Sequence, residues 1–267
     1  MKHSFEESKN KFSGEKEDNK KGEGNIEKLI NFLGRVAQEL RSEGVPVNDE
    51  CRIDIDAFKQ IYGNEAIKKT VKKIEDFKFQ HGIQNRIEDK SAEPGEQLEM
   101  LTTGIFHKFL KNDFLIVRSS EYDDFKYGVD NFIIDKNSGD IICAFDETSS
   151  LSDEKKNEVL DKNIVREGGR LQYGLKIENG KLILGPQPSI PIFYLVLSRK
   201  SIKKGVRKFV PSLETKSDFE KTIFHFFGET IKIQLNDLLE FEKAGIKMGI
   251  KEKLPKLKKI VEKFEIY

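Results

Sequence analysis

The sequence predicts an α+β protein: a central mixed sheet of helix–strand–strand–strand–helix–strand order, with an inserted hairpin and flanking N- and C-terminal helices. Three observations carry this. Both ends show apolar residues at helical spacing, such as Ile26, Leu29, Ile30, Leu33, Val36, Ala37 and Leu40. The middle third holds short strand-like runs, FLIVRS, VDNFIID and IICAFDE. A fourth run, Ile190–Leu197 (IPIFYLVL), is apolar throughout, as expected of a strand covered on both faces.

Composition bounds the function classes. Of 267 residues, 37% are hydrophobic, enough to fold most of the chain. Lysine and arginine number 47 against 46 acidic residues, so no global basic field advertises nucleic acid, and such binding depends on local patches. Two cysteines, Cys51 and Cys143, argue against a disulfide scaffold or a cysteine-rich zinc site. Met1–Gly24 lacks the apolar core of a secretory signal, and no apolar run reaches the roughly 18 residues a spanning helix needs. The expected setting is the cytoplasm, with no membrane partner.

Taken in order, residues 1–24 read as a disordered charged tail. Residues 25–90 read as a helical region. It holds the first apolar helix, stopped by Gly44 and Pro46, and a second over about Asn64–Phe79 with Ile67, Val71, Ile74 and Phe77 on one side. The other side of that helix is lysine-rich (Lys68, Lys69, Lys72, Lys73), a solvated or phosphate-contacting face. The polar stretch Ile83–Gly95 reads as a linker into the core, residues 91–200.

The core opens on a helix over Pro94–Lys111 with Leu98, Leu101, Ile105 and Phe109 as its buried stripe. Strand Phe114–Ser119 follows, then an acidic loop. Strands Val129–Asp135 and Ile141–Glu147 are joined by Asn137-Ser138-Gly139. Asp153–Arg166 is helical, and Asn179-Gly180 predicts a type I′ turn between Leu171–Ile177 and Lys181–Leu184. Residues 201–267 read as C-terminal helices packed on the core. Ser217 and Glu220 form a capping box, and a lysine-rich amphipathic helix spans about Pro255–Phe264.

The register of the second and third strands follows from their turn. With Gly139 left-handed, a three-residue loop sets Lys136 against Asp140, and counting back along both strands sets Asp130 opposite Asp146. Their Cβ atoms are then about 5 Å apart. Two like charges so placed demand a shared proton, a lysine or arginine, or a divalent cation of the oxygen-seeking kind, Mg2+ or Mn2+. Asp146 shares its face with Thr148, while Glu147 points the other way; a one-residue slip exchanges Glu147 for Asp146.

This order of elements, with YGVDNFIID and CAFDET as the two acidic motifs, resembles the PD-(D/E)XK nuclease core over residues 94–200. The resemblance implies metal-dependent hydrolysis of DNA or RNA phosphodiesters. Asp130 and Asp146 would serve as catalytic and metal-binding acids, the Glu147 carbonyl as a metal ligand, and Glu99 as the carboxylate of the leading helix. The family's lysine two residues beyond the second acid is replaced by Thr148. Lys155, Lys156 or Lys176 is left to supply it, with Lys176 carried as the catalytic choice. Without such a lysine, the same fold reads as a non-catalytic binding or scaffold module. The carboxylates also have a purely structural reading, with the C-terminal helices as an oligomer interface.

Other features are weaker. Asp123 and Asp124 read as turn formers or outer-sphere ligands, and Arg118 as an ordinary salt-bridge partner. His107 and His225 lack a second histidine at ligand spacing. Asp54 and Asp56 lack the glycine and distal glutamate of a calcium loop. The basic stretch Arg199–Lys208 is the best candidate for nucleic-acid phosphate contact, together with the lysine-rich helices.

Overall fold

Apolar runs of four to six residues cannot satisfy their backbone alone, and in this chain four of them pair. The computed structural model describes residues 12–82, 93–150, 152–245 and 250–265. Strands β1 (Phe114–Arg118), β2 (Asn131–Asp135), β3 (Ile141–Thr148) and β6 (Ile192–Val196) form one mixed sheet in the order β1-β2-β3-β6. β1/β2 and β2/β3 are antiparallel, and β3/β6 is parallel. The inserted strands β4 (Gly169–Glu178) and β5 (Lys181–Ile190) make a separate two-stranded sheet. Its turn residues Asn179 and Gly180 both take positive φ, as a type I′ turn requires. The α+β class expected from the sequence is the observed one.

The helices are α1 (Phe12–Ser42), α2 (Lys59–Tyr62), α3 (Asn64–Gln80), α4 (Pro94–Leu110), α5 (Glu121–Tyr127), α6 (Asp153–Ile164), α7 (Arg199–Lys208), α8 (Asp218–Lys243) and α9 (Leu254–Glu265). Of the expected disordered tail, residues 1–11 lie outside the described residues, and from Phe12 the backbone is helical. Most of the expected linker, residues 83–92, also lies outside them. The loop expected over Glu121–Gly128 is instead a helix. Ser120 caps it by accepting from the Asp123 amide, and Gly128 ends it in the left-handed region. On α3, Thr70 rather than Val71 is buried, because a period of 3.6 carries the stripe from Ile67 through 70 to Ile74.

α4 lies at the centre. Phe106 meets Phe145, Phe224, Phe227 and Phe264 at 5.3–6.0 Å, mostly edge-on, and joins the sheet to α8 and α9. The open edge of β6 is closed by two amide side chains. Asn163 bonds the Ile192 amide and carbonyl at 2.8 and 2.7 Å, and Gln234 does the same for Tyr194 at 3.0 Å each. Each side chain imitates a neighbouring strand and blunts the edge. Ahead of the core, residues 47–53 bridge to β1: the Arg118 amide donates to the Cys51 carbonyl and the Ile53 amide to the Arg118 carbonyl, both at 3.0 Å.

The β2–β3 turn spans one residue more than expected, residues 136–139, with the Asp135 amide donating to the Asp140 carbonyl at 3.0 Å. A bulge then restores the register, since Ile134 pairs with Ile141 but Ile133 with Cys143. Beyond it Asn131 faces Phe145, so position 130 falls against 146 as the sequence predicts.

Candidate functional site

The carboxyl ends of β1 and β3 and the start of β2 meet at one edge of the sheet, beneath the first turns of α4. Asp130, immediately before β2, is buried; its backbone amide donates to the Phe145 carbonyl at 2.9 Å, and its Oδ2 accepts from the Glu147 amide at 2.6 Å. That pins its carboxylate at the sheet edge.

Alternation along β3 splits the two acids that follow. Glu147 lies on the α4 face with Phe145, and both its oxygens accept from Asn131 Nδ2, at 3.0 and 2.9 Å. Asn131 Oδ1 in turn accepts from Thr103 of α4 at 2.8 Å. Asp146 faces α6, where Lys155 Nζ lies 2.5 Å and Lys162 Nζ 3.7 Å from its Oδ2. Gly128 makes room for this pairing: its φ is +61°, and a Cβ there would lie 2.9 Å from Lys162 Nζ.

Asp130 is drawn into a group with Glu99 of α4 and Asp124 of α5. One oxygen from each of the three lies within 4.8 Å of the others, a spacing that suits a shared cation. Asp124 and Asp130 also share a hydrogen bond. Two buried guanidiniums border the group. Arg52 donates to Glu99 Oε2 at 2.6 Å, to Glu96 Oε2 at 3.1 Å and to Asp124 Oδ2 at 3.3 Å. Arg118 donates through Nη2 to the same Glu99 oxygen at 2.7 Å and to Glu96 at 2.5 Å.

The electrostatics follow from this distribution. Burial pushes the Asp130 carboxyl well above the usual range, and the negative charges of Glu99, Asp124, Glu147 and Asp146 push it further. Burial raises Glu147 to about 8, with Glu99 adding to the rise and Asn131 and Arg118 opposing it. Asp124 rises to about 6 through burial and Glu99, against the pull of Arg52, although a third of its side chain touches solvent. Glu96 goes the other way. Burial works against its charge, but Arg118 and Arg52 hold it down at about 2. Lys155 is held charged by its bond to Asp146 despite burial, which works the other way. Glu96, held by both arginines, ionises readily, whereas Asp130 and Glu147, buried among other acids, hold their protons more tightly.

The structure therefore brings Glu99, Asp130, Asp146 and Glu147 to one sheet edge, but divides them between faces. Lys176 is elsewhere: it sits on β4 and pairs with Glu178 at 3.2 Å, because the hairpin forms its own sheet. Lys155 occupies the place next to Asp146 instead, while Lys156 pairs with the exposed Asp153. Thr148 Oγ1 donates to the Ser150 carbonyl at 2.7 Å. Asp123 is structural: buried, and accepting from the Gln172 and Tyr173 amides, it moors β4 to α5. Arg52, Asp124 and Lys162 carry no local motif. The Ser120 and Gly128 caps are the available signal for α5, and hence for Asp124.

No protein-family model, curated protein or solved structure matches the chain. No helix among the described residues is long and apolar enough to cross a membrane.

Proposed function

We propose that this protein binds a divalent cation, Mg2+ or Mn2+, at the sheet edge and hydrolyses nucleic-acid phosphodiesters as a divergent PD-(D/E)XK-type nuclease. The observation that carries the reading is the convergence of Glu99, Asp124 and Asp130 from three separate elements, with the Lys155 ammonium 2.5 Å from the neighbouring Asp146. The donor set fits the ion: all three groups are hard carboxylate oxygens, which Mg2+ and Mn2+ prefer. The strand order, with α4 leading and α6 crossing between β3 and β6, supports the same class.

A divalent ion bound there would supply an acidified water and a Lewis acid for a phosphoryl oxygen. Asp130, Asp124 and Glu99 would hold it. Lys155 would stabilise negative charge gathering on the phosphate, the role the family gives to the residue replaced by Thr148. The α7 helix supplies the proposed nucleic-acid contact. Arg199, Lys200, Lys203, Lys204, Arg207 and Lys208 are exposed, no acid shares the helix, and none of the six pairs with an acid among the described residues. It follows β6 directly, and the Leu197 amide donates to the Thr148 carbonyl at 3.2 Å, so its start adjoins the acidic edge. The proposed setting is the cytoplasm, where both free cysteines stay reduced.

Incubation of plasmid, single-stranded DNA and RNA with the protein and Mn2+ tests the reading. Cleavage is expected from the native protein and not from Asp130→Ala or Asp146→Ala; cleavage that survives both substitutions overturns it. One observation favours a second reading, a non-catalytic binding module of the same fold. Glu99 Oε2 already accepts from two guanidiniums, so part of the cluster is neutralised from within. That module would shift nucleic acid in gels equally well in EDTA, and neutralising α7 would abolish the shift.

A further inference from the structure

We infer that Arg52 is a built-in counter-ion that occupies the carboxylate cluster in place of a divalent cation and must withdraw for the cation to bind. The inference rests on the cation-binding reading above and concerns how that site is controlled.

The guanidinium reaches two of the three candidate ligands with different nitrogens: Nη2 donates to Glu99 at 2.6 Å and Nη1 to Asp124 at 3.3 Å. It therefore bridges α4 and α5 across the gap a cation would span. An arginine fork and a metal ion both satisfy carboxylate lone pairs, and two positive centres a few ångströms apart in a buried site repel strongly. Arg118 does not duplicate this role. It contacts Glu99 and Glu96 through one nitrogen, rises from the sheet itself and is fully buried.

Arg52 differs in how it is anchored. Its segment joins the sheet through one isolated bridge, Arg52 with Arg118, and closes on itself through another, Val47 with Ile53, not through a full strand. The preceding Cys51 holds a φ of +63°, a conformation that L side chains rarely adopt. A segment with so short a ladder is able to shift while the sheet stays intact. The charges facing Arg52 are Glu96, Glu99, Asp124 and, farther off, Glu121. Withdrawal of Arg52 leaves Glu96 and Glu99 each paired with Arg118, frees Asp124 and reduces the guanidiniums on Glu99 from two to one, which opens the site to the incoming ion.

The test is calorimetric titration of the full chain with MnCl2, comparing the native protein, Arg52→Gln and Arg52→Gln/Glu96→Gln. The double variant removes one acid along with the guanidinium, which preserves charge balance if the single variant folds poorly. Release of the counter-ion predicts Mn2+ affinity at least tenfold higher in a folded variant. It also predicts that Mg2+ added to the native protein shifts the Arg52 side-chain NMR signals and speeds their solvent exchange. Equal or weaker Mn2+ binding by the variants, with Arg52 signals unmoved by Mg2+, overturns the inference while leaving the cation site standing. Failure of every form to bind Mn2+ overturns both.

Discussion

Glu147→Gln turns the crowding at the sheet edge into a measurable stability. The native carboxyl is buried, is bonded to Asn131 through both oxygens, and is raised from 4.5 to about 8. Each tenfold change in proton affinity is worth about 1.4 kcal/mol, so the native protein loses roughly 5 kcal/mol to this group between those limits. The sign follows from proton counting. Between pH 4.5 and 8 the folded form holds the Glu147 proton and the unfolded form has released it, so stability falls as pH rises. Below that window the contribution is fully present. Glutamine resembles the protonated acid and cannot ionise, but it keeps only one acceptor oxygen for Asn131, a constant cost of about 1 kcal/mol. Urea unfolding of both proteins in EDTA should therefore show the variant slightly less stable at pH 4.5 and several kcal/mol more stable at pH 8.5. Taking the difference between the two proteins cancels the titrating groups remote from Glu147, and leaves Glu147 together with its coupling to Asp130 and Glu99. A difference that stays constant across that range refutes the argument, because it means Glu147 ionises in the folded protein as freely as in the unfolded chain.

Three further outcomes are expected. Lys155→Met removes the ammonium 2.5 Å from Asp146 and should lower cleavage by roughly 100-fold or more while Mn2+ still binds by calorimetry. Gly128→Ala puts a side chain at φ +61° and a Cβ 2.9 Å from Lys162 Nζ, and should cost about 1–2 kcal/mol in urea unfolding. Lys108→Met breaks an ion pair with Glu220 whose side chains are 0% and 1% exposed, strands the glutamate, and should cost about 3–5 kcal/mol, read as a lower melting temperature.

The parts of the site legible in the sequence are those fixed by strand alternation. Because side chains alternate with a period of two, placing Asp146 and Glu147 on opposite faces needs only the strand assignment. The register holds because two irregularities offset each other, the wider turn and the bulge at Ile142. The same turn with no bulge would set Phe145 rather than Asp146 opposite Asp130. What escapes a sequence reading is everything brought in from a distance. Arg52 lies 66 residues before Arg118, and no pattern in RIDIDAF announces that its side chain enters the core; only the folded bridge to β1 shows it. Strand alternation favours Lys176, but its strand belongs to a hairpin sheet of its own, while Lys155 reaches Asp146 because the Ser152 cap starts α6 close to the end of β3.

Six acids gather at this edge, and their partners are unequally shared. Glu96 and Glu99 are met by Arg52 and Arg118, and Asp146 by Lys155 and Lys162. Among the described residues no lysine or arginine lies within ion-pair distance of Asp130 or Glu147, and Asp124 has only the longest of the Arg52 contacts. An ordinary buried salt-bridge network would place its positive charges where the raised acids are, since isolated buried charge is the costlier arrangement. Here the arginines lie toward α4 and the lysines toward α6, leaving between them a strip of carboxylates with raised proton affinity. A proton satisfies that strip in acid, but as pH rises through 6 and then 8 the protons on Asp124 and Glu147 are lost in turn. The demand for positive charge thus grows at neutral pH and above, where a divalent cation competes best with protons for carboxylate oxygens.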